Sequence, residues 1–156
     1  MRRKLLLLSD EVARQILEQA TSGVLAVLGD GGYPYAVLLS YVWHEGRLIF
    51  HSAVQGHKVD AIRACDKASF CVIQQDEVCA ERFTTFFRSV IAFGRIRVLD
   101  DEAEKMAAIR ILAKKYSPNE SAAHTDHEIA HGLPHLLMLE MEVEHLTGKQ
   151  ALELIS

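Results

Sequence analysis

Apolar and polar positions alternate with a period of two along much of this chain, and the stretches that break the alternation have helical spacing instead. Ser9-Asp-Glu opens a helix with an N-cap and an acidic first turn, and Val12, Ile16, Leu17 and Ala20 form its apolar stripe before Gly23 ends it. Val24 to Leu28 reads as a short strand, Gly29-Asp-Gly-Gly32 as a tight turn, and Pro34 to Trp43 as one long strand. His44-Glu-Gly46 then turns the chain into a third strand, Arg47 to Ser52. Short turns force these strands to run antiparallel, because parallel pairing needs a long crossover. Further on, a helix is expected from about His57 to Ala64, with strands from Ala68 to Gln75 and from Phe86 to Leu99. Gly94 marks a bulge or bend in the second of these strands. Asp100 starts another helix, with Ala103, Met106, Ala107 and Ile109 to Leu112 on its buried side, and Tyr116-Ser-Pro118 stops it. Asp76 to Arg82 is polar and fits neither class, while Asn119 to Pro134 reads as a polar, histidine-bearing segment. Leu136 to Leu146 gives the sixth strand, ending at Thr147-Gly148. The expected fold is mainly β (α+β). Six antiparallel strands in a single domain over residues 1–156 close into a small barrel with flanking helices, which removes exposed sheet edges.

At 156 residues the chain can bury roughly 68–70% of its unfolded surface without external staples. A net charge of −4 argues against a nucleic-acid partner, which calls for a basic face. No apolar run approaches the roughly 20 residues of a membrane-spanning helix. The opening Met1-Arg-Arg-Lys-Leu-Leu-Leu-Leu-Ser9 has an apolar segment too short for a signal peptide, and Asp10 and Glu11 follow at once, so a cytoplasmic N-terminus is expected. Cys65, Cys71 and Cys79 cannot all pair, and reduced thiols fit that location.

Candidate chemistry concentrates at Ile49-Phe-His-Ser-Ala-Val-Gln-Gly-His-Lys58. A strand that turns through Ser52 and Gly56 into a helix start aims free backbone N–H groups and a positive dipole end at one point, which suits a phosphate. Lys58 adds an ammonium beside it. An ordinary strand–loop–helix connection with a solvated lysine is the alternative.

The order of these motifs resembles the FMN-binding split-barrel superfamily typified by pyridoxamine-phosphate oxidase, and within it the nitroimidazole-resistance group. The resemblance rests on Arg2-Arg3, Gly32-Tyr-Pro-Tyr-Ala-Val-Leu38, Phe50-His-Ser-Ala-x-x-Gly-x-Lys58, Arg88-Ser-Val-Ile-Ala-Phe-Gly94 and Met141-Glu-Val-Glu-His-Leu-Thr-Gly-Lys149. It implies a split barrel and a homodimer with FMN at each of two subunit-interface sites. It further implies that Ala36, Val37, Leu38 and Leu39 run along the flavin ring, and that His51, Ser52 and Ala53 approach the ring and ribityl chain. His57 and Lys58 would hold the phosphate, and Ser89 would lie near the flavin. His51 is the candidate catalytic residue, as proton donor or substrate clamp, against a rim histidine bonded to backbone. The activity implied is reduction of a nitro-compound or similar small acceptor. Without a Gly-x-Gly-x-x-Gly fingerprint, an NAD(P)H donor would bind by stacking on the flavin. Tyr35 replaces a basic residue of the vitamin-forming oxidase, and the chain ends without that enzyme's basic segment, so oxidation of pyridoxamine phosphate is not expected. The alternatives are a flavin carrier or redox sensor without turnover, and a haem-binding relative.

His124, His127, His131 and His135 have helix-compatible spacing, but their acidic neighbours complete no known ligand set, so no metal site is assigned. Tyr35, Val37, Leu39, Tyr41 and Trp43 alternate onto one face, as core and dimer interface or as a stacking platform. Arg95 and Arg97 share a strand face that meets solvent or a phosphate at the dimer seam, and Arg88 adjoins Ser89.

Overall fold

In a computed structural model, which describes residues 4–155, one antiparallel sheet organises the chain. The Arg2-Arg3 pair lies outside the described residues. Helix α1 (Asp10–Gln19) starts where the sequence puts it, with the Ser9 hydroxyl accepting from the Val12 N–H at 3.3 Å. Its core face is Ala13, Ile16 and Leu17, and Val12 turns outward. The strands follow as β1 (Ser22–Leu28), β2 (Pro34–Ser40), β3 (Val42–His44) and β4 (Arg47–Ala53), then α2 (His57–Ala64), β5 (Lys67–Cys79) and β6 (Thr84–Val98). Helices α3 (Glu102–Tyr116) and α4 (Ala122–Gly132) precede the last strand, β7 (Leu136–Gln150).

The sheet has seven strands in the order β2-β1-β5-β6-β7-β4-β3, one more than expected, because the long strand from Pro34 breaks at Tyr41. That side chain is fully buried and its hydroxyl donates to the Leu17 carbonyl at 2.7 Å. The Tyr116 hydroxyl accepts from the Tyr41 N–H at 3.0 Å and lies 2.8 Å from the Tyr41 carbonyl. Held this way, the backbone leaves one edge of the sheet as β2 and rejoins the other edge as β3. The sheet is therefore open, with β2 and β3 as its edges, as the expected split barrel requires, rather than closed all round.

Three further boundaries differ. Residues Asp76 to Cys79 continue β5 and pair with Thr84 to Phe87, making a hairpin arm that extends beyond the β1 pairing. The histidine-bearing segment contains α4, capped by the Ser121 hydroxyl on the His124 N–H and anchored by buried Ile129. Strand β7 runs on through Thr147 and Gly148 because both pair with β6. The β6–β7 register slips between Phe93 and Gly94, at the glycine that the sequence marks.

Two apolar layers result. Inside the sheet, Leu25, Phe50, Phe70, Val90, Ile96 and Met141 pack with Leu17 of α1 and Ile62 of α2. The Phe50 and Phe70 rings meet edge-on at 5.1 Å. Outside it, Val42, Ile49 and Met138 pack beneath Ile109 and Leu112 of α3 and Ile129 and Leu133 of α4. Helices α3 and α4 thus cover the outer face of β3, β4 and β7.

Candidate functional site

The split lies between β2 and the second half of β4. Strand β3 pairs with β4 only from Arg47 to Ile49, so among the described residues Phe50 to Ala53 have β7 on one side and no strand on the other. Strand β2 likewise has β1 alone as a neighbour. The Gly29 N–H donates to the Tyr33 carbonyl at 2.8 Å, which sets the phase of this antiparallel ladder. By alternation, Tyr35, Val37 and Leu39 spend their backbone groups on β1, and Ala36, Leu38 and Ser40 turn theirs to the free edge. Of the four ring-lining candidates, Ala36 and Leu38 offer backbone groups, while Val37 and Leu39 pack their side chains on the core.

The chain leaves β4 at Ala53 and reaches α2 through Gly56, whose φ of 140° and ψ of 162° lie where only glycine rests without strain. No side chain caps α2. The Val59 and Asp60 N–H groups donate back to the Gly56 carbonyl at 2.9 and 3.2 Å, and those of His57 and Lys58 have no protein acceptor among the described residues. Lys58 is half-buried and has no carboxylate partner among those residues, and burial pulls its pKa below the ordinary lysine value. The same helix start thus carries a half-buried lysine and two N–H groups without protein acceptors among the described residues, groups that suit an anion. His57 is engaged elsewhere. Its Nδ1 lies 3.3 Å from Oδ2 of Asp30, and its ring meets Tyr35 edge-on at 4.6 Å. Ser52 is the buried polar residue of β4.

His51 points to the outer face, into a cleft of about 320 Å³ where the α3–α4 layer meets the split. Ser40, Leu112, Tyr116, Glu128, Ile129 and Leu136 line it beside the imidazole. Sequence reasoning missed these wall residues, because Ile109 to Leu112 read as the buried side of α3 and Tyr116 as part of its stop. Their spacing carries no sign that part of that side faces a void.

Ser89 stands apart. It pairs with Ile73 and Lys149, and β5 and β1 separate its strand from β2. Arg95 holds Asp66 and Glu144 at 2.8 and 3.0 Å, and Arg97 holds Glu104 and Glu140, so carboxylates already occupy both guanidinium groups. Arg88 donates to Gln150 at 3.2 Å. The α4 histidines are exposed, with His124 3.8 Å from Glu120, and no metal-binding group of three appears among the described residues.

An open antiparallel sheet in this strand order defines the split-barrel class, and the comparisons agree on that fold. The sequence model of the pyridoxamine 5'-phosphate oxidase family matches residues 9–150, so the chain belongs to that family. No curated protein matches it. Among solved structures, a proposed 5-nitroimidazole antibiotic resistance protein from Bacteroides thetaiotaomicron superposes with a TM-score of 0.77 at 17% identity, covering 93% of this chain and 86% of that one. An FAD-binding protein from Mesorhizobium loti gives 0.66 at 25% identity, with 93% and 96% covered. An FAD and haem binding protein from Mycobacterium smegmatis gives 0.74 at 18%, with 92% and 72% covered. The fold expected from the sequence resemblance is the one these proteins share.

Proposed function

We propose that this protein is a flavoprotein that binds FMN in the split and passes electrons from a reduced nicotinamide donor to a small acceptor such as a nitro-compound. The observation that carries the reading is the start of α2, where half-buried Lys58 has no carboxylate partner and the His57 and Lys58 N–H groups have no protein acceptor among the described residues. One corner of this kind suits one terminal phosphate, which favours FMN over the FAD named for two of the neighbours. The free edge of β2 would orient the ring through the backbone groups of Ala36 and Leu38, and the Ser52 hydroxyl would meet the polar chain between ring and phosphate. A flavin held there would supply the redox chemistry, hydride transfer and electron delivery that no side chain of the site could perform. His51 holds a proton on its imidazole at the cleft, where an acceptor that gains electrons must also gain protons. That cleft is open and walled by α3 and α4, which supports turnover over a flavin carrier with a sealed ring face.

The outer face of β2, β1, β5 and β6 supports a homodimer. Leu38, Ile73 and Leu28 are 68%, 64% and 50% exposed there, with Val24 and Phe93 alongside. A second copy of the chain is the natural cover for such a surface. It would also bring a partner's Ser89 strand to the seam. A visible spectrum of untagged protein, the mass of the released cofactor and the solution mass of the particle test both parts together. FMN-type absorption from a dimer is expected; a colourless protein that takes up no added FMN overturns the reading.

Replacing His51 with alanine should leave FMN bound and slow reduction of a nitro acceptor about tenfold. That is less than the ~10²–10⁴-fold typical of proton transfer by a positioned side chain, because solvent reaches this exposed imidazole. Steady-state kinetics check it, and unchanged turnover removes His51 from the chemistry.

A further inference from the structure

We infer that the cleft between α3, α4 and β4 binds a small, neutral, aromatic molecule with one hydrogen-bond-accepting group, and that it rejects anions. As the acceptor site of a flavoenzyme the cleft rests on the function proposed above; as a binding site it stands on its own walls. Its volume of about 320 Å³ is at the small end of the range for ligand pockets. Ile109, Leu112 and Ala113 of α3 face Ile129 and Gly132 of α4 across it, with Leu136 of β7 at its base, so nearly all of the lining is hydrocarbon.

The few polar groups define what fits. The Tyr116 hydroxyl is already engaged by the Tyr41 N–H and by the carbonyls of Tyr41 and Thr21, so it presents only its ring to a ligand. Two ring side chains, His51 and Tyr116, favour a planar guest. His51 has no hydrogen-bond partner among the described residues, which leaves its imidazole N–H for one acceptor atom, with the Ser40 hydroxyl nearby. Glu128 completes the rim, and none of its neighbours there is a lysine or arginine. The cations close in sequence are committed elsewhere: Arg110 to Asp126 at 2.7 Å, and Lys115 to the Ala20 carbonyl and the Tyr41 ring. Glu128 is exposed and solvent screens its charge, so the cost to a guest carboxylate lies mainly in losing its own hydration against hydrocarbon walls with no lysine or arginine in return. A neutral guest avoids that cost.

Nitrobenzene and para-nitrobenzoate form a matched pair of probes, alike in shape and different in charge. Their binding to the full chain, with and without FMN, can be followed by ligand-observed NMR. Nitrobenzene should bind, and para-nitrobenzoate about tenfold or more weakly. Glu128→Gln, at an exposed position, should leave most of that gap in place. Ala113→Leu, which adds bulk at a half-buried wall position without disturbing helix propensity, should abolish nitrobenzene binding. Equal affinity for the two probes, or nitrobenzene binding that survives Ala113→Leu, overturns the inference. FMN titration of the same samples separates the two claims. Bound FMN with no nitrobenzene sinks the cleft alone, and nitrobenzene bound in the stated pattern by a protein that takes up no FMN sinks the flavin reading alone.

Discussion

Lys58→Ala should weaken FMN binding by roughly ten- to a hundredfold, the consequence of removing a charge-assisted hydrogen bond worth about 1.5–3 kcal/mol. The phosphate would keep the two free N–H groups at the start of α2 and the dipole behind them, so some affinity survives. What it loses is the one cation that the corner provides among the described residues, since His57 is drawn to Asp30 and Arg95 and Arg97 are held by carboxylates. Burial lowers the Lys58 pKa, so its charge disappears at a lower pH than that of an exposed lysine. FMN affinity should accordingly fall as the pH rises through that lowered value. Lys58→Arg, which stays charged, should retain part of the affinity and lose the alkaline decline. Lys114→Ala, on the exposed side of α3, should change nothing. Quenching of FMN fluorescence on titration reads all three variants. Wild-type affinity in Lys58→Ala would show that the corner holds no phosphate.

This corner was legible because every part of it is local. A strand, a glycine and a helix start within ten residues place the N–H groups and the ammonium together, whatever the rest of the chain does. The α1 start and the β3–β4 turn were legible for the same reason: Ser9 caps its own helix, and Glu45 and Gly46 adopt the positive φ values that turn requires. The break at Tyr41 is of another kind. Alternation runs unbroken from Tyr35 to Trp43, and the groups that interrupt the ladder come from Leu17 on one side and from Tyr116, 75 residues away, on the other. Helix α4 was hidden by its composition, with exposed histidines on most sides and only Ile129 buried. The β5–β6 arm looked irregular because residues beyond Gln75 pair with β6 alone and need no second apolar neighbour. The His51 cleft is assembled from β2, β4, α3, α4 and β7, and no spacing within one segment announces it.

Gly94→Ala should destabilise the fold by about 3 kcal/mol or more, at or above the upper end for an overpacked core. The reason is contact rather than backbone conformation. A Cβ at this position would lie 1.8 Å from the Glu142 carbonyl oxygen and 3.1 Å from the Val143 Cα, and both are main-chain atoms of the neighbouring strand that no rotamer change can move. The close approach arises where Phe93 pairs with His145 and Gly94 pairs with Val143, so that Glu144 bulges out of β7 and the strand bends across β6. Beyond the bend, Leu136 to Leu139 form the only ladder among the described residues that supports the Phe50 to Ala53 half of β4. A methyl group at residue 94 therefore pushes on the strand that carries the phosphate corner, and FMN affinity should decline together with stability. Gly132→Ala provides the contrast. That residue has helical φ and ψ and nothing nearer than 3.8 Å to an added Cβ, so alanine should be neutral or stabilise by up to about 1 kcal/mol. Urea denaturation of the two variants separates them cleanly. Wild-type stability in Gly94→Ala would mean that β7 does not cross β6 at this register. The bend that aims β4 at the split would then need another cause.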